Sequence, residues 1–90
     1  MARIHFTPHL RGFFELPDAF DTPAKSLREV VAALESEWPG IGFYITDEQH
    51  ALRENVAIWI DGKRIPKDAP IDTGLSDDAV VHIMQALSGG

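Results

Sequence analysis

Val56-Ala57-Ile58-Trp59-Ile60-Asp61-Gly62 reads as a strand running into a tight turn. β-Branched and aromatic residues fill the strand, and Asp-Gly suits a two-residue hairpin whose central positions both need positive φ. Lys63-Arg64-Ile65 supplies a short return. Ile58 and Ile60 share one face, which leaves Trp59 on the other beside Ala57. A tryptophan turned outward on a sheet is a natural interface anchor unless a loop covers it.

Beyond this hairpin, residues 66–78 are turn-rich, with Leu75 as the expected core anchor. Asp77-Asp78 reads as a turn and not as a catalytic carboxylate pair. Ala79-Val80-Val81-His82-Ile83-Met84 is the last strand, and local pattern alone does not name its neighbour. The chain then ends Gln85-Ala86-Leu87-Ser88-Gly89-Gly90. The expected organisation is one domain over residues 1–84 and a flexible tail over 85–90. Six extended residues at roughly 3.3–3.6 Å each reach about 20 Å. Two glycines make a slim end able to enter a narrow channel. Met84 and Leu87 extend the apolar surface of Trp59 toward that tail, and His82 is expected to face a partner.

In the other direction, Thr46 to Asn55 reads as an exposed loop, and Ile41-Gly42-Phe43-Tyr44-Ile45 as a strand or an extended connector. The convincing helix starts at Ser26, an N-cap with Glu29 three residues on, which is the capping-box spacing. Leu27, Val30, Val31 and Leu34 form its apolar stripe, Trp38 extends it and Pro39-Gly40 ends it. Residues 2–6 alternate as a half-buried strand, with Ile4 and Phe6 on one face and Arg3 and His5 on the other. Phe13-Phe14-Glu15-Leu16 reads as a second strand, joined to the first by a hairpin through Arg11-Gly12. One helix over one face of a mixed sheet is an α+β layout.

Composition narrows the function classes. Ninety residues make one domain with a modest core, too small to enclose a deep active site. A net charge of −6 disfavours nonspecific nucleic-acid binding; it fits a basic partner surface, or simply solubility. The absence of cysteine excludes a thiol nucleophile and a thiolate metal site. Together with a start that runs straight into a strand, it points to a cytoplasmic protein. No stretch approaches the roughly 18 apolar residues of a membrane span. Four histidines lack metal-ligand spacing, so no metal site is expected, and Gly40-Ile41-Gly42 is too short for a phosphate loop.

Residues 52–90 resemble the MoaD/ThiS group of ubiquitin-like sulfur carriers. The resemblance rests on the Val56–Gly62 strand and turn, Asp72-Thr73 with Leu75, Asp77-Asp78, and a last strand running into Gly-Gly; the Trp38-Pro39-Gly40 helix end is similar too. The longer segment before the hairpin and the tail without proline look nearer the cysteine-pathway and thiamine-type carriers than the molybdopterin synthase small subunit. The resemblance implies a ubiquitin-like β-grasp fold, with His5 and His82 as neighbours on the outer face. It implies that a ubiquitin-activating-type adenylyltransferase uses ATP to adenylate the Gly90 carboxylate. A sulfurtransferase or sulfide source then makes a thiocarboxylate, which gives its sulfur to a synthase. Leu87, Ser88 and Gly89 would be read by the partner's channel. The chain itself would be no enzyme, bind no cofactor or nucleic acid, and be a monomer when alone. Two other readings stay open: a modifier joined through Gly90 to lysines, and a noncovalent interaction module.

Overall fold

The computed structural model describes residues 1–85, apart from the side chains of His9 and Phe13. In chain order the elements are β1 (Ala2–Phe6), α1 (Pro8–Phe14), β2 (Ala19–Thr22), α2 (Leu27–Glu37), α3 (Ile41–Ile45), β3 (Val56–Ile60), β4 (Lys63–Arg64) and β5 (Val80–Gln85). The strands form one sheet in the order β2-β1-β5-β3-β4. β5 is central, parallel to β1 and antiparallel to β3. Ile4 and Phe6, Val81 and Ile83, and Val56 and Ile58 turn to the inner face, where Leu27, Val30 and Leu34 of α2 complete the core. This is the α+β, ubiquitin-like β-grasp arrangement that the resemblance implies.

Three local readings need correction. Residues 13–16 are not a strand: α1 occupies Pro8–Phe14, and β2 begins only at Ala19. Thr7 is extended and Pro8 takes the first helical turn, where its missing N–H costs nothing. Leu10, fully buried, and Phe14, four residues on, lie on one side of that helix. Glu15 then ends it in the left-handed region, at φ 57°. Residues 41–45 are not extended either but form α3, with Ile41 and Ile45 both buried at helical spacing. The helix ending at Glu37 is therefore followed by a second, through a reversal at Gly40 whose φ of 102° favours glycine. Finally, Thr46 to Asn55 is not wholly exposed. Thr46 and Leu52 are buried and bridge to each other.

The expected capping of α2 is present and wider than one motif. Ser26 Oγ accepts the N–H of Glu29, and Glu29 Oε1 accepts the N–H of Lys25. The N–H groups of Leu27 and Arg28 donate to the carbonyls of Thr73 and Ile71. The otherwise orphaned donors of the first turn are thus satisfied by the segment before β5. Arg28 also grips Asp72 through two contacts of 2.7 and 3.3 Å. At the hairpin, Asp61 and Gly62 both have positive φ, 51° and 84°. Asp61 Oδ1 accepts the N–H of Val80, and the Asp61 N–H donates to the Val80 carbonyl, so the turn is tied to the start of β5. Lys67 Nζ donates to the carbonyls of Arg53, Glu54 and Val56 and closes the entry to β3.

Two outcomes follow for stability. Leu10→Ala removes a fully buried side chain and should cost about 2–5 kcal/mol in urea unfolding, whereas a loop position would cost under about 0.5 kcal/mol. The second concerns acid. The Arg28 guanidinium holds the Asp72 carboxyl below its usual range. A depressed folded pKa means that the contribution is complete above the unfolded value of about 3.9 and fades as pH falls toward the folded value. Asp72→Asn should therefore be less stable than the parent at pH 7, with the gap closing below about pH 4 when unfolding is followed by circular dichroism.

Candidate functional site

The candidate site has two parts, the outer sheet face and the chain end. Strand alternation sets the first. With Ile4, Phe6, Val81, Ile83 and Ile58 turned inward, Arg3, His5, Val80, His82, Met84, Ala57 and Trp59 fall on the outer face. Register lines five of its residues in one row across the sheet. Ala19 is opposite His5, His5 opposite His82, His82 opposite Trp59, and Trp59 opposite Arg64. The imidazoles of His5 and His82 stack, with centroids 4.8 Å apart and planes within 15°. Trp59 is half-buried on this face, as its place in the alternation requires.

One step nearer the C-terminus, Met84 lies opposite Ala57. Trp59, His82, Met84 and Ala57 are thus one contiguous patch near the C-terminal end of β5. The strand continues to Gln85, which pairs with Val56, so the ordered ladder runs one residue past the expected domain boundary. At the other end of the face, Arg3 forms a two-contact ion pair with Asp21 at 2.9 and 3.2 Å across β1 and β2. That hydrogen-bonded guanidinium holds the Asp21 carboxyl below its usual range. The patch offers ring faces, apolar area and cationic edges, a composition suited to docking.

The expected chain-end residues Leu87, Ser88, Gly89 and Gly90 lie outside the described residues. The structure places His82, Met84 and Trp59 on one face. A second concave surface on the helical layer, around Phe43, has no counterpart in the sequence pattern, because it depends on residues 41–45 being helical. Their signal was the pair Ile41 and Ile45, four apart. Among the described residues no group of three or more His, Cys, Asp or Glu is placed to hold a metal ion. No described helix is long and apolar enough to cross a membrane.

Comparison with known proteins fits this geometry. The ThiS family model matches residues 14–90, and the chain belongs to the ThiS family, of the MoaD/ThiS ubiquitin-like type. Its fold superposes on a chain of the Amycolatopsis orientalis BexX/CysO complex with a TM-score of 0.84, at 16% identity over 100% of both chains. Mycobacterium tuberculosis CysO gives 0.82 at 19% identity, over 97% of this chain and 100% of that one. The small archaeal modifier protein 1 of Methanosarcina acetivorans gives 0.77 at 21% identity, over 99% and 95%. At these identities the likeness is one of fold. Curated protein sequences give no significant match.

Proposed function

We propose that this chain is a sulfur carrier whose reacting group is the carboxylate of Gly90. The observation that carries the reading is the Gly89-Gly90 end placed five residues beyond a central strand in a ThiS-family chain. A carboxylate is a poor acyl donor because its leaving group would be oxide. Its oxygen attacks the α-phosphorus of ATP held by a partner adenylyltransferase, and pyrophosphate leaves. Hydrosulfide then attacks the acyl carbon and AMP leaves, which yields the thiocarboxylate. A sulfurtransferase persulfide serves equally where a second thiol reduces the acyl disulfide first formed. The sulfur then passes to the acceptor of a biosynthetic synthase.

The carrier contributes recognition and reach, and no side chain of its own enters the chemistry. Trp59, His82 and Met84 dock the rigid body on the activating enzyme, while Leu87, Ser88 and Gly89 are read as the slim end enters its channel. Glycine suits both last positions because any side chain widens the end. A second reading, conjugation through Gly90 to lysine amines, is supported by the fold shared with a small archaeal modifier protein.

With ATP, the cognate activating enzyme and sulfide, intact-mass measurement should show a gain of about 16 Da, one oxygen exchanged for sulfur at the acyl carbon. A chain extended by one residue past Gly90 should show none. No gain in the parent chain, together with a ladder of heavier conjugates in cells that requires Gly90, would favour the modifier reading instead.

A further inference from the structure

A groove of about 340 Å³ opens on the helical layer, between α2, α3 and the segment that follows α3. Arg28, Val31, Ala32 and Glu35 of α2 lie along it at spacings of three and four, a second stripe distinct from the buried Leu27, Val30 and Leu34. Val31, Ala32 and Ile71 give it an apolar floor, and Phe43 forms a wall. Phe43 is 62% exposed, one of the two large apolar side chains most open to solvent among the described residues. The groove is built from fixed parts. The Glu35 carboxylate accepts the N–H groups of Gly40 and Gly42 at 2.9 and 2.8 Å, which locks α3 against α2. A Cβ on Gly42 would come to 2.8 Å from Glu35 Oε1, so a larger residue there would push the Glu35 carboxylate out of this position.

The rim is acidic. Glu35, Asp47 and Glu48 line the groove, with His50 beside them. Its arginine, Arg28, is already bound to Asp72. Glu48 has no ion pair among the described residues. Arg53 places its guanidinium 4.4 Å from the centroid of the Phe43 ring, so the chain already sets a cation against this wall.

We infer that this groove docks a segment of a partner protein that presents an aliphatic or aromatic side chain flanked by Lys or Arg. The apolar residue fills the floor over Val31 and Ile71, and the cation meets Glu48, the rim carboxylate that has no hydrogen bond or ion pair among the described residues, whereas Glu35 and Asp47 already accept backbone N–H groups. A second copy is a poor occupant, because each chain carries a net charge of −6 and the same acidic rim would face it. The groove opens on the helical layer, and the outer face is the other side of the sheet. Both surfaces can therefore be occupied at once. One protein can hold the chain by its helices while another takes its terminus. This inference stands whether or not the terminus carries sulfur.

The test is a titration of the isotope-labelled chain, followed by amide NMR, with the blocked hexapeptide KLWRLK and its acidic counterpart ELWELE. KLWRLK should move the amides of Ala32, Gly42, Phe43 and Glu48 and leave those of Trp59 and Met84 in place. Raising salt to about 0.5 M, where the screening length falls to about 4 Å, should weaken binding several-fold. Ala32→Lys places a cation in the groove at an exposed helical position and should abolish the shifts. Phe43→Ser should weaken binding by roughly ten-fold, about 1.4 kcal/mol. The inference is overturned by the absence of groove shifts at about 2 mM peptide, a millimolar Kd being already negligible binding. Equal shifts from ELWELE, or shifts confined to the outer face, would overturn it as well. So would groove amides that move with protein concentration alone, which would assign the surface to a second copy.

Discussion

Strand β5 hydrogen-bonds in parallel register to β1 and in antiparallel register to β3, so segments from both ends and the middle of the chain meet along one strand. Its odd and even positions then serve different ends. Val81 and Ile83 are buried in the core, while His82 and Met84 stand on the outer face. β5 ends at Gln85, five residues before Gly90 in the sequence, so the strand that closes the core is also the last described element before the terminus. Parallel pairing needs a long crossover, and the chain supplies it with everything between β1 and β5. The crossover is held at its far end by β5's own approach: the carbonyls of Ile71 and Thr73 satisfy the first turn of α2, and Asp61 binds Val80.

How far this was legible in the sequence depended on how local the signal is. The Asp61-Gly62 turn, the Ser26–Glu29 cap and the alternation of β1, β3 and β5 are written in adjacent residues, and the structure contains all three. α1 and α3 are decided by tertiary contacts. Phe13-Phe14 and Ile41–Ile45 are rich in residues that favour strands, and each helix is too short to show a full stripe. What holds them is distant packing: the Phe14 and Tyr44 rings meet edge-on at 5.8 Å, and Glu35 reaches the backbone of α3. Pro8, which reads as the end of a strand, is equally the start of a helix.

The candidate site divides along the same line. The outward place of Trp59 follows from period two alone. That His5 would stack on His82 follows only from the parallel register, which no local pattern reports. The groove around Phe43 depends on α3 being a helix, so a reading that made residues 41–45 extended had no route to it. The sheet and the helical layer thus present different chemistries, aromatic with Arg64 at its edge on one side, apolar with carboxylates on its rim on the other.

In the proposed carrier role, the outer face beside β5 docks the body so that the terminus reaches a partner activating enzyme. Hydroxyl-radical footprinting of the chain with and without that enzyme reads the side chains concerned, since tryptophan and methionine oxidise readily where water reaches them. Docking on this face should protect Trp59 and Met84 in the complex while Phe43 keeps its reactivity. Protection of Phe43 with Trp59 and Met84 unchanged would contradict it.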